Sequence, residues 1–243
     1  MRILTFAKRN LIEILRDPLT LFFGLGFPAI LILLLSAIQA NIPVSLFEIE
    51  RLAPSMCVFG LSFMTLFSST LIAKDRESAF LARLYASPMR ALDFILGYTL
   101  PMLPVALAQS ALCYILGIIL GMDLTLTIIP SLLLVIPTAV FFIALGLLFG
   151  SFLSQKQVGG ICGALLTNLS AWLSGIWFDL DLVGGAFKAI ASALPFYHAT
   201  KIQAESYLGN FSTILPNLAV VSVYAVAISA LAVFVFLKQM RKK

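Results

Sequence analysis

At 243 residues, with 61% hydrophobic and only 11% charged side chains, the chain stands far from a soluble domain, in which about a quarter of residues are charged. This composition is that of an integral membrane protein. The formal charge of +5 does not point to nucleic acid, because the basic residues flank apolar runs, where they set orientation in a bilayer. Cys57, Cys113 and Cys162 all lie inside apolar runs, so packing is their expected role rather than disulfide or metal chemistry.

Residues 1–17 precede the first apolar span. On a helical wheel Ile3, Leu4, Ala7, Leu11, Ile14 and Leu15 share a stripe of roughly 120°, with Arg2, Arg9, Glu13 and Arg16 opposite, which predicts an amphipathic helix lying along the membrane surface. Arg16-Asp17-Pro18 then turns the chain into the membrane, with proline in the first helical turn, where its missing N–H costs nothing.

Six apolar spans follow, each near the about 20 residues needed to cross a bilayer. They run from Leu19 to Ile38, Leu52 to Ala73, Leu92 to Leu120, Leu126 to Leu153, Val158 to Phe178 and Ile214 to Leu237. Six crossings put both termini on one side. With that side cytoplasmic, thirteen basic residues fall inside and only Arg51, Lys188 and Lys201 fall outside, which predicts cytoplasmic termini. Pro101, Pro104 and Pro137 are expected to kink the third and fourth spans.

The long charged segment Lys74 to Arg90 breaks this pattern with four basic and two acidic side chains after 22 uncharged residues. Phe80, Leu81, Leu84 and Tyr85 recur at helical spacing, while Arg76, Glu77 and Arg83 project elsewhere. Two readings fit: a short amphipathic helix, begun by Asp75 or Ser78 and ended by Ser87-Pro88, or a solvated loop on lipid headgroups. A second irregular stretch, 179–213, lies outside. Its apolar part, Leu182 to Leu194, is too short and glycine-rich to cross, so a re-entrant or interfacial segment is expected, broken at Pro195-Phe196-Tyr197-His198 before a second short helix from Ala199 to Leu208.

The chain has no Gly-x-x-x-x-Gly-Lys-Ser/Thr, so it binds no ATP through a P-loop, and any ATP dependence must come from another polypeptide. Its one histidine, His198, leaves no Ser/His or Cys/His pair and is read as a capping or interfacial group. No span carries a charge near its centre, which argues against an ion-coupled carrier. The deep polar groups Gln109 and Asn168 fit interhelical hydrogen bonds or contacts with an amphipathic cargo. Gly117-x-x-x-Gly121, Gly146-x-x-x-Gly150 and Gly159-x-x-x-Gly163 allow close helix approach, mostly within one subunit.

Taken in order, these features resemble the permeases of type-2 ATP-binding-cassette (ABC) exporters. The resemblance is carried by Arg16-Asp17-Pro18, by Arg76-Glu77, Leu81 to Leu84, Ser87-Pro88 and Gly97, and by Leu194 to His198. Ser78-Ala79-Phe80 and Tyr98 depart from the family's pattern, which often has Gly-Thr and Lys there. The resemblance implies one all-α permease domain over 1–243: six transmembrane helices, an N-terminal interfacial helix (1–17), a cytosolic coupling loop (74–90) and an external re-entrant hairpin (179–213).

It further implies that Arg76, Glu77, Phe80, Leu81, Arg83 and Leu84 dock on a separate ABC ATPase, assisted by Arg9, Glu13, Arg16 and Asp17 on the interfacial helix. Two permease copies are expected to meet along the first and fifth helices, with Gly159, Gly160, Gly163 and Gly175 in the seam. Phe22, Phe23, Phe27, Gln109, Asn168 and Trp172 would border the cargo route. The chain itself would bind no cofactor; ATP and Mg belong to the ATPase. The expected activity is export of an apolar or amphipathic cargo such as a drug, peptide antibiotic or lipid-like molecule, from the inner membrane of a prokaryote. An ion-coupled carrier and a non-transporting anchor or sensor for an ABC ATPase remain the alternatives.

Overall fold

The computed structural model describes residues 2–78, 80 and 89–240, and within them the chain is built of helices joined by short turns. Helix α1 (Arg2–Leu15) precedes α2 (Pro18–Gln39), α3 (Ile49–Glu77), α4 (Ala91–Ile119) and α5 (Ile128–Gly150). A helical segment α6 covers 155–173. The short α7 (Leu180–Val183), then α8 (Gly185–Ala193) and α9 (Pro195–Tyr207), lead to the long last helix α10 (Ile214–Met240).

Five helical stretches are long and apolar enough to cross a membrane: α2, α3, α4, α5 and Phe211–Gln239, which holds most of α10. The sixth expected span, Val158 to Phe178, differs from its reading. It is helical as α6, but its first turn, Gln155-Lys156-Gln157, is polar, and the chain leaves the helix after Leu173 and turns at Gly175 (φ +76°). It therefore does not meet the same standard of length and apolarity.

Helix α3 organises the bundle. Its residues from Leu52 to Ala73 are nearly all buried, as expected for a helix apolar on every side. Lipid gives two helices no hydrophobic reason to meet, so close backbone approach between small residues has to hold them. That is how α5 packs on α3: a Cβ at Gly146 would lie 2.5 Å from Ser68 Cβ, and one at Gly150 2.9 Å from Ile72 Cβ. The Thr65 hydroxyl donates across the same contact to the Phe142 carbonyl (2.8 Å).

The ends of the spans follow local chemistry. Asp17 caps α2, its carboxylate accepting from the Leu19 N–H (3.3 Å) and the Thr20 hydroxyl (2.6 Å), with Pro18 at the first helical position as expected. Helix α4 ends where Gly121 turns left-handed (φ +107°) and Met122 N–H bonds back to the Gly117 carbonyl (2.9 Å), closing a Schellman motif. Proline acts at Pro101, where α4 is interrupted between Thr99 and Met102, whereas α5 runs through Pro137 without a break.

The second short helix of the 179–213 region starts at Pro195 rather than Ala199. The break lies at Leu194, which is extended because it precedes a proline. His198 ties this hairpin together: one ring nitrogen pairs with Asn217 Oδ1 of α10 (2.7 Å), the other with the Ser192 carbonyl of α8 (2.9 Å).

Candidate coupling site

At about 1.5 Å per residue, the 29 residues of α3 extend about 44 Å, well beyond the about 30 Å of a hydrocarbon core. Its last turn, Lys74 to Glu77, therefore stands past the apolar zone, and three other elements converge on it.

Asp75 is the centre. Only 1% of it is exposed, and it is held by a two-pronged bond from Arg9 of α1: Nη1 to Oδ2 at 2.7 Å and Nη2 to Oδ1 at 3.0 Å. The Tyr98 hydroxyl of α4 donates to the same Oδ2 (2.9 Å). Arg9 also pairs with Glu13 (2.7 Å), and Glu13 in turn with Lys74 (2.6 Å), so α1 and α3 share a chain of alternating charges. Burial pushes the Arg9 guanidinium down, but its hydrogen bond and attraction to Asp75, with Glu13 adding, hold it above its ordinary value. The guanidinium also lies over the Phe80 ring, 4.5 Å from its centroid.

Shape reinforces charge. Phe6 packs edge-on against Tyr98 (5.0 Å) and Phe94 (6.1 Å), and its ring fills the space where a Cβ on Gly97 would lie, 2.1 Å from Phe6 Cδ1. Beside it, the fully buried Asn10 donates to the Gly97 carbonyl (2.8 Å). On the other flank of α3, Arg76 donates to the Leu153 carbonyl, and Glu77 accepts from the Gln155 N–H (3.0 Å) at the first turn of α6. Ser154 caps that turn in a capping box with Gln157. The end of α3 thus joins α1, α4 and the start of α6.

Several residues singled out from the sequence meet here: Arg9, Glu13, Arg76, Glu77 and Phe80. Arg16 stands exposed just beyond the knot, while Asp17 serves as the α2 cap. Leu81, Arg83 and Leu84 lie outside the described residues. Asp75 does not begin a new helix: α3 continues through Glu77, so Asp75 is a buried partner inside it, while Ser78 is the C-cap of α3 and most of the segment it was expected to open lies outside the described residues. Asp75, Tyr98, Phe6 and Asn10 form the site without having been singled out for it. One signal was present. Continuing the α3 pattern one turn places Asp75 three and four residues after Ile72 and Leu71, on the buried face.

The residues expected along a cargo route separate. Phe23 stacks on Phe63 of α3 (5.8 Å) and Phe27 packs on Phe59 (6.0 Å), while Phe22 is 48% exposed. Gln109 is enclosed against Gly60 of α3, where a Cβ would meet its Nε2 at 2.0 Å. Asn168 and Trp172 lie on the exposed face of α6, Asn168 donating to the Ala164 carbonyl of its own helix (2.8 Å). The seam glycines divide as well. Gly159 and Gly160 are exposed with open space at their Cβ positions, Gly163 packs on Leu66 of α3, and Gly175 forms the turn after α6.

A bundle of long apolar helices around a central one, with a charged knot beyond its apolar zone, defines a multi-pass membrane protein. The family profile of the ABC-2 type transporter matches residues 1–208, and the chain belongs to that family. It is thus a membrane subunit of an ABC transporter, and membership implies an ABC ATPase as partner. A search of curated proteins found no match.

Proposed function

We propose that the chain is the transport subunit of an ATP-driven exporter, working as a homodimer with two ATPase subunits. The observation that carries this reading is the knot at Asp75. It fastens α1, the end of α3, the start of α4 and, through Arg76 and Glu77, the start of α6 into one body at the beginning of the 74–90 segment. A push on that loop from the ATPase then reaches α1, α3, α4 and α6 together instead of being absorbed locally. ATP and Mg bind the ATPase; this chain, without a P-loop, binds no cofactor and catalyses nothing by itself.

An apolar or amphipathic cargo suits the aromatic side chains of α2, where Phe22 is exposed and Phe23 and Phe27 are half-buried, backed by a buried aromatic ladder along α3. Phe67 stacks on Phe63 (6.3 Å), Phe63 meets Phe59 (5.5 Å), and Phe59 meets Trp177 (5.9 Å) near the opposite end. Phe23 and Phe27 of α2 flank it, and the exposed Gly159–Gly160 face of α6 is the seam with a second copy. In this reading α6 is the fifth of six crossings, both termini and the knot are cytoplasmic, the α8–α9 hairpin faces outward, and the membrane is a prokaryotic inner membrane.

The test is purification from the native membrane in mild detergent, followed by ATP hydrolysis assays in liposomes. A P-loop subunit should be recovered in a ratio near one to one, and replacing Glu77 and Arg83 with Ala should weaken cargo-stimulated hydrolysis without loss of membrane insertion. Recovery of this chain alone under gentle crosslinking would overturn the reading, as would full stimulation in the double variant.

A further inference from the structure

A cleft of about 690 Å³ opens between the second half of α1, the start of α2 and α3. That volume lies within the about 300–1,000 Å³ of sites that bury small molecules. Its rim carries Arg16 and Lys74, with Glu13 bound to Lys74 and the Asp17 carboxylate engaged as the cap of α2, and its floor is Phe67, Thr70 and Leu71. Lys74 spends one of its three donors on Glu13, and the exposed Arg16 has no acidic partner among the described residues.

Helix α1 docks on the bundle by one flank and leaves Leu4, Ile12 and Leu15 exposed at 70%, 37% and 49%. Those side chains suit acyl chains, and α2 descends directly after Pro18, so the mouth of the cleft sits at headgroup depth. A small soluble anion would use the rim and leave the apolar floor wet. A purely apolar molecule would fill the floor and leave Arg16 without a counter-charge. A phosphodiester joined to an acyl chain matches both.

We infer that this cleft binds one membrane phospholipid, its phosphate held by Arg16 and Lys74 and one acyl chain lying over Leu71 and Phe67. The inference rests on the placement of α1 at the membrane surface given above, not on transport, and topology reporters check that placement separately.

The experiment is native mass spectrometry of the full chain purified in detergent and titrated with phosphatidylglycerol, then with phosphatidylethanolamine. One bound lipid per chain is expected from either. Arg16→Glu, which removes the charge-assisted contact, and Thr70→Trp, which fills the cleft, should each weaken binding by about tenfold. Arg16→Lys should retain it, as should Lys156→Ala, which removes an exposed cation elsewhere. Thermal melts of the variants show that each is folded. Unchanged binding in Arg16→Glu and Thr70→Trp, no binding of either lipid by the parent chain, or inorganic phosphate binding as tightly as lipid would each overturn the inference.

Discussion

Asp75 ties α3 to α1 and α4, because a carboxylate that is 1% exposed is held entirely by donors from those two helices. Asp75→Asn keeps the shape and removes the charge, leaving Arg9 opposite a neutral amide. Breaking a fully buried pair costs about 3–5 kcal/mol; the Arg9 side chain is 36% exposed and regains some hydration, so about 2 kcal/mol is expected. For a chain of this size that lowers Tm by about 4–8 °C, measurable in detergent-purified protein. Arg9→Lys should lose part of the same stability, since an ammonium cannot span both carboxylate oxygens. Gly97 makes a second test. A methyl group there must displace the Phe6 ring, so Gly97→Ala should cost about 1–3 kcal/mol, while adding it to Phe6→Ala should cost almost nothing. Additive losses in the melts of the two variants would show that the ring is not what the glycine accommodates. Gly97 was visible in the sequence as part of a family pattern, but its physical reason was not, because Phe6 lies 91 positions earlier in the chain.

Among the elements, α1 shows how far periodicity reaches. The wheel placed Ile3, Leu4, Ala7, Leu11, Ile14 and Leu15 on one stripe, yet the docked face is Phe6, Ala7, Asn10 and Ile14, with Leu4 and Leu15 left exposed. An apolar stripe looks the same whether it meets lipid or protein; the docked flank was fixed by Arg9 and Asn10 finding Asp75 and Gly97. The glycine pairs behaved likewise. Gly146 and Gly150 admit α3, and Gly163 admits Leu66, so small residues read alike in the sequence serve contacts inside the subunit. Gly159 and Gly160 do not, and the proposed seam predicts that cysteines placed there crosslink two copies in membranes, in a background with Cys57, Cys113 and Cys162 replaced. A cysteine at Gly163 should stay monomeric. Equal dimer bands at all three positions, or none at Gly159 and Gly160, would move the seam elsewhere.

For the whole molecule, the open quantity is the number of crossings. Five stretches satisfy length and apolarity, and α6, with its polar first turn and its end at Leu173, is the segment on which the parity of the topology depends. Six crossings predict that reporters fused at the two termini read the same side, and that a cysteine in the 179–183 stretch is labelled from the other. Termini on opposite sides would show that α6 does not cross and would place the α8–α9 hairpin on the same side as α1.

The sequence by itself determined the membrane class, the positions of most of the apolar helices, the start of α2 at Pro18 and the ordered pattern that marks the ABC-2 type transporter family. These depend on local sums: apolarity over about 20 residues, helical period, and a proline whose missing N–H suits a first helical turn. The tertiary structure alone decided that Asp75 is buried rather than a cap, that Phe6 and Asn10 dock α1, that Gln109 is walled in by Gly60, and which glycines remain open. Each of those depends on a partner brought from a distant part of the chain, as Arg9 is to Asp75, 66 positions away. In a chain that is apolar nearly throughout, composition does not reveal which apolar face meets protein and which meets lipid.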